Sequence, residues 1–322
     1  MTGSGPVPDP AGRSHTGPNV VARARRAEAL LWVVPALWSS NYLIARASEG
    51  VIGPHLLALG RWALAIALLL PFTWAVLARP ESRRAIRREW RQMLALGALG
   101  MWVCGAFVYL GGHTTSSNNI ALIYAATPIA IVYAGSRLLH EPMSRAQWAG
   151  VALALAGVLF VIARGDLRTL LQVRFTVGDG WIVVAAVCWA AYSVLLKHWR
   201  SALPPLARLV AIAAGGVLVL VPFTALEAWL QPGPPLGWAA LGLVVLAALL
   251  PGVISYGAYS YLQRELGASR TALIMYLAPL YAALGAWAVL GEPPRWFHAV
   301  GAVLILPSIW LATRGAPGKA AR

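Results

Sequence analysis

The sequence predicts an all-α protein that crosses a lipid bilayer many times, and three observations carry that reading. Of its 322 residues, 59% are hydrophobic and only 11% charged, whereas in a soluble domain roughly a quarter are charged. Its apolar runs are about 20 residues long, and at 1.5 Å per residue each spans, as a helix, roughly the 30 Å hydrocarbon core. These runs are continuous and rich in Ala, Leu and Gly, without the every-second-residue alternation of a membrane barrel.

Ten spans follow in order. Residues 1–28 are rich in Gly, Pro, Ser and Arg and hold no apolar segment, so they read as a disordered tail without a cleavable signal. The first span, 29–48 (ALLWVVPALWSSNYLIARAS), contains the polar run Ser39, Ser40, Asn41 and Tyr42. Such groups need partners in lipid, and either neighbouring helices or a substrate supplies them. The second span, 55–78, carries Arg61 about two turns in, a costly depth for a cation. That side chain snorkels outward, pairs with Glu49, or faces a wet cavity and meets an anionic group.

The arginine run RPESRRAIRREWR (79–91) precedes the third span, 92–111, which holds Trp102, Cys104 and Tyr109. The fourth, 117–138, is entered through Asn118 and Asn119, carries Tyr124 and Pro128, and ends near Glu141. The fifth, 146–163, completes a first half over 29–164, with Trp148 fitting the interfacial belt. The sixth, 180–198, starts near another belt residue, Trp181, and holds Cys188, Trp189 and Tyr192. The seventh, 206–226, contains Pro222; the eighth, 236–260, contains Tyr256 and Tyr259. The ninth, 267–290, carries Tyr276 and Pro279 and ends near Glu292. The tenth, 297–313, completes a second half over 180–313, and 314–322 form a short tail.

The net charge of +15 is distributed by side. With the N-terminus inside, twenty of the 26 basic residues fall on the cytoplasmic side, and only Arg164, Arg168, Arg174 and Arg295 on the other. This positive-inside bias places both tails in the cytoplasm and the protein in the cell membrane. The arginine run is then a topology anchor on anionic lipid, and nucleic acid is not an expected partner. Cys104 and Cys188 both lie within spans, so no extracellular disulfide framework is predicted.

The stretch YAATPIAIVYAGSRLLHEP (124–142) is echoed by YLAPLYAALGAWAVLGEP (276–293). A constant offset of 151 residues relates Pro128 to Pro279, Glu141 to Glu292, Gly150 to Gly301, Trp38 to Trp189 and Pro71 to Pro222. The chain is therefore read as a duplication. Five spans per half is an odd number, so the second half is inserted upside down: two inverted five-helix repeats, an arrangement secondary transporters use to build a mid-membrane site.

Pro128 and Pro279 interrupt their spans and free the carbonyls of Tyr124 and Met275, either as acceptors facing a cavity or as packing kinks. Glu141 and Glu292 are placed to cap a following helix or form interfacial salt bridges, with proton coupling the rival role. Tyr124, Trp189, Tyr192, Tyr256, Tyr276 and Trp102 are candidate cavity-lining aromatics beside Asn41, Tyr42 and Arg61.

The paired motifs WSSNYLIARA and LLALGRW, ALIYAATPIAI with LLHEPMSRAQWAGVALALAGV, and in the second half WAAYSVLLK and ALIMYLAPLYAALGAWAVLGEPPRWFHAVGAVLI, resemble the EamA family of the drug/metabolite transporter superfamily. The resemblance covers about residues 29–313. It implies ten helices, a cavity between the halves, and carrier-mediated movement of small metabolites such as amino acids, often export. The second copy has Tyr192 where the first has Asn41, and Arg61 has only a displaced counterpart in Arg208.

No G-x-x-x-x-G-K-[ST] loop, H-E-x-x-H motif or ligand-spaced cysteine pair is present, so neither ATP hydrolysis nor a metal or other cofactor is expected. No span has a central carboxylate, which weakens a dedicated proton relay. The expected function is that of a secondary transporter exporting a small polar or amphipathic metabolite such as an amino acid, and not an enzyme. The rivals are an integral-membrane enzyme acting on a lipid-linked substrate and a structural membrane protein.

Overall fold

Prolines and capping side chains set where the helices begin. The computed structural model describes residues 18–115, 117–141, 143–290 and 293–313, and every regular element among them is helical. α1 (Pro18–Ala47) starts on a proline and reaches back into the predicted tail, because the Ala- and Arg-rich stretch before residue 29 consists largely of good helix formers. α2 (Pro54–Leu77) and α7 (Pro205–Leu230) also carry proline in the first turn. α5 (Arg145–Ile162) opens on a capping box between Ser144 and Gln147, and α6 (Val177–His198) on one between Thr176 and Asp179.

α3 (Pro80–Gly112) is one helix of 33 residues running through the arginine stretch, so it starts well before the predicted third span. α8 (Trp238–Leu266) and α10 (Trp296–Thr313) are continuous. α4 (117–138) and α9 (268–290) are not. α4 breaks at Ala126, two residues before Pro128, and α9 passes through a 3₁₀ turn, Leu273–Leu277, that ends two residues before Pro279. Proline has no amide to give the preceding turn, and both copies lose helical regularity at the same repeat position.

Among the described residues, α2 to α8 are each long and apolar enough to cross a membrane, and α1 and α10 contain shorter apolar stretches, Ala29–Ala45 and Trp296–Ile309. Their surfaces are dressed for lipid: Phe72 is 80% exposed, and Leu218 and Val303 are likewise exposed. The buried side chains form two cores. One joins α1, α2, α3, α6, α7 and α8 through residues such as Trp62, Tyr109, Tyr192 and Tyr259, and also takes in Ile131 of α4 and Ala268, Ala272 and Ile274 of α9. The other joins α4, α5, α9 and α10 through Val132, Val158, Tyr276 and Ile305.

The packing partners follow a rule. α2 packs on α7, α4 on α9 and α5 on α10; α1 packs on α8 as α6 does on α3, and α1 on α9 as α6 does on α4. Exchanging each helix with the one five places later leaves this set unchanged. α3 and α8 also each contain a π-helical segment, Ala98–Phe107 and Ala248–Ile254, at matching repeat positions.

Association in lipid relies on close backbone approach, which small residues permit. α3 and α7 meet at Gly97, Gly215 and Gly216. A Cβ on Gly97 would lie 2.6 Å from the Ile212 carbonyl oxygen and would overlap the Gly216 amide nitrogen; one on Gly215 would lie 2.8 Å from the Met93 carbonyl oxygen. These neighbours are backbone and cannot rotate away. Gly97→Ala is therefore expected to destabilise the protein by about 2 kcal/mol. Gly242→Ala, on an open face of α8, is expected to be neutral or slightly stabilising. Thermal unfolding of the two variants in detergent compares them directly.

Candidate functional site

A cavity of about 680 Å³ opens between the two cores, within the usual range for small-molecule sites. Both halves line it: Trp38, Asn41, Arg61 and Tyr124 from the first, and Trp189, Tyr256, Tyr276 and Pro279 from the second. α1 brings in Asn41, while the neighbouring hydroxyls are satisfied within the helix, Ser39 Oγ donating to the Ala36 carbonyl and Ser40 Oγ to that of Leu37. The amide of Asn41 instead reaches across helices. Its Oδ1 accepts from the Tyr109 hydroxyl at 2.9 Å and from Arg61 Nη1 at 3.4 Å.

Arg61 is 3% exposed. Its Nη2 donates to the Pro251 carbonyl at 2.7 Å, and its guanidinium lies 4.9 Å from the Trp62 ring centroid and 5.7 Å from that of Tyr256. Its Nη1 contacts to Asn41 and Tyr109 are both long, at 3.4 Å, and its Nε has no hydrogen-bond partner. Among the described residues no carboxylate, Glu49 included, lies within ion-pair distance. Dipoles and ring faces thus hold this charge without neutralising it.

The two π-helical segments meet this cluster. A π turn shifts the backbone hydrogen-bond ladder and offers a carbonyl to another donor. Arg61 takes the Pro251 carbonyl, and the Tyr256 hydroxyl donates to the Gly100 carbonyl at 2.8 Å. Gly100 and Pro251 are repeat equivalents, 151 residues apart. Each half therefore supplies a side chain that closes the other half's π segment.

Aromatic rings form the rest of the wall. The repeat equivalents Trp38 and Trp189 touch edge to face at 5.2 Å between centroids, and Trp189 contacts Tyr256 at 5.6 Å. Tyr124 and Met275, whose carbonyls the two prolines affect, both line the cavity.

The remaining sequence candidates lie elsewhere. Tyr192 is fully buried behind Trp189, stacked on it at 5.3 Å. Trp102 is stacked on Phe223 at 4.0 Å, away from the cavity. Pro128 is buried at the start of the second segment of α4 and does not line the cavity. The side chain of Tyr42 and the whole of Glu292 lie outside the described residues. Glu141 caps a helix, but across the repeats: its carboxylate accepts from the Ala268 amide at 3.3 Å and the Ser269 amide at 3.1 Å, at the N-terminus of α9. Gly267, at φ +89°, leaves room for it, since a Cβ there would lie 2.8 Å from Glu141 Oε1.

Two acidic residues were not singled out from the sequence. Asp179 is 2% exposed and accepts from the Thr176 amide at 2.5 Å, from Asn119 Nδ2 at 3.1 Å and from the hydroxyl of Thr115, a cavity-lining residue. Its signal was the Thr-x-x-Asp spacing of a capping box. Glu227, at the end of α7, accepts from the His55 and Leu56 amides at 3.1 and 3.2 Å, and its Oε1 lies 2.9 Å from His55 Nδ1. No local pattern links residues 172 positions apart. Among the described residues, no three His, Cys, Asp or Glu side chains converge as a metal site.

Replacing Glu141 by Ala exposes two helix-start amides, and a loss of about 1–2 kcal/mol is expected. Glu141→Gln, which keeps an acceptor, is expected to lose less. Detergent unfolding midpoints for the pair test the assignment.

The EamA-like transporter family model matches residues 26–163 and again 176–314, one match per half. A probable terminal-alkyne amino-acid exporter of Streptantibioticus cattleyicolor is 27% identical over 88% of this chain and 91% of its own length. An S-adenosylmethionine/S-adenosylhomocysteine transporter of Chlamydia trachomatis is 23% identical over 86% of each. A crystal structure 20% identical in sequence superposes with a TM-score of 0.67, covering 89% of this chain and 96% of its own; this likeness bears on fold alone.

Proposed function

Because this chain belongs to the EamA-like transporter family, we propose that it is a secondary carrier that exports a small polar or amphipathic metabolite of the amino-acid class by alternating access. Ten spans form two inverted five-helix repeats, with both chain ends in the cytoplasm. The exchange-symmetric packing supports this arrangement, as does the contact between the equivalent residues Trp38 and Trp189, because a residue touches its own equivalent near an axis that relates the halves.

The observation that carries the reading is the un-neutralised guanidinium of Arg61 in a cavity shared by both halves. A substrate carboxylate supplies the missing counter-charge, Asn41 orients it, and the aromatic wall takes the apolar part. Both named relatives act on molecules that contain an amino-acid moiety, in keeping with this class. The enzyme and structural-protein readings gain no support from this geometry.

Reconstituted vesicles preloaded with individual amino acids and small carboxylates provide the test, with counterflow of the labelled compound as readout. A hydrogen bond to a charged group is worth about 1.5–3 kcal/mol. Arg61→Gln and Asn41→Ala are therefore expected to slow exchange by roughly ten- to a hundredfold while eluting as folded monodisperse protein. Wild-type rates in both variants would remove these residues from the site. Reporter fusions are expected to place the two chain ends and residues 199–204 on the cytoplasmic face, and residues 164–176 on the other.

A further inference from the structure

α3 is longer than the membrane is thick. Its 33 residues make a rod of about 50 Å, against roughly 30 Å of hydrocarbon. The apolar portion after residue 92 accounts for the crossing, which leaves about 13 residues, 80–92, beyond it. In that overhang Arg83, Arg84, Arg87, Arg88 and Arg91 are all exposed, and their spacing puts them on one broad face. The opposite face, with Ser82, Ala85 and Met93, is buried, and α3 packs on α7. The packed face therefore fixes the arginines on the side of α3 turned away from the bundle.

The nearby acids do not quench this face. Glu89 turns aside to the loop between α6 and α7, accepting from Ser201 Oγ at 2.5 Å and the Ala202 amide at 3.3 Å. Glu81 lies in the first turn, where a negative side chain favours the helix dipole. Among the described residues none of these arginines, nor the exposed Arg79 just before the helix, has a carboxylate within ion-pair distance. Trp90 is 51% exposed between them, with Arg91 over its ring at 5.5 Å, the amphipathic anchor expected at headgroup depth.

We propose that this face of α3 is a binding site for anionic phospholipid headgroups. The phosphates sit against Arg83, Arg84, Arg87, Arg88 and Arg91, with Trp90 at the boundary. The site is distinct from the cavity and independent of what the protein carries. It gives the carrier a lipid dependence: anionic lipid ties the outer part of a helix whose π segment helps build the cavity.

The test uses the full-length protein in mixed micelles with phosphatidylglycerol, cardiolipin or phosphatidylcholine, reading co-purified lipid by native mass spectrometry and the unfolding midpoint. Wild type is expected to retain phosphatidylglycerol and cardiolipin in preference to phosphatidylcholine, to be stabilised by them, and to lose the preference in high salt. Replacing arginines of the set by Gln is expected to weaken retention by roughly fivefold each. If the five-Gln variant inserts poorly, Arg→Lys at the same positions keeps the charge and is expected to keep the preference, while the single Arg87→Gln and Arg88→Gln variants report the loss. Equal retention of charged and zwitterionic lipid by wild type, or an undiminished preference in the Gln variants, overturns the proposal. So does binding of a nucleic-acid duplex that competes with phosphatidylglycerol more effectively than added anionic lipid does.

Discussion

A guanidinium buried inside a membrane protein must be compensated by something, and around Arg61 the compensation is unusual in kind. It draws on a backbone carbonyl released by a π turn, two ring faces, an amide and a phenol, but on no described carboxylate. The rest of the central architecture follows from this. The π segment of α8 must present Pro251 toward α2, and Trp62 and Tyr256, themselves in edge contact at 4.8 Å, must hold their rings beside the charge. Tyr256 in turn satisfies the equivalent carbonyl of the other half. The two copies are joined by reciprocal use of the same backbone irregularity, although the side chains that use it differ.

Beyond this cluster, the molecule is held by the economies that lipid imposes. Apolar surface is not driven inward when the surroundings are themselves apolar, so the helices meet where glycines let their backbones touch, as at Gly97 and Gly216. Polar groups are spent at helix ends. Glu141, Asp179 and Glu227 each receive the free amides of a helix start, and Glu141 and Glu227 do so for a helix of the other half. None of these three carboxylates lines the cavity, whose wall has Glu49 as its acidic residue alongside Arg61, Asn41 and the aromatic rings.

Much of this was legible in the sequence because it rests on periodicity and length. Apolar runs gave the helices, and the 151-residue offset found the duplication that the two family matches, 26–163 and 176–314, repeat. Asn41 and Arg61 stood out because polar groups are scarce in lipid. What escaped was set by relations between distant segments. Whether an aromatic residue faces the cavity or a neighbouring helix depends on helix rotation, which continuous apolar sequence does not encode, and so Tyr192 and Trp102 look like Trp189 and Tyr256 on paper. The π turns have no strong signature of their own, and Glu227 finds His55 across most of the chain. The span read at 92–111 belongs to a longer helix, Pro80–Gly112, because arginines end a hydrophobic run without ending a helix.

The two helices that lose their regularity near Pro128 and Pro279 share a further property. α4 places Ile131 in one core and Val132 in the other, and α9 places Ile274 in one and Tyr276 in the other. Neighbouring side chains on each of these helices are thus sunk in different packed bodies. The two interrupted helices are the seams of the molecule, stitching one body to the other close to the breaks in their own backbones.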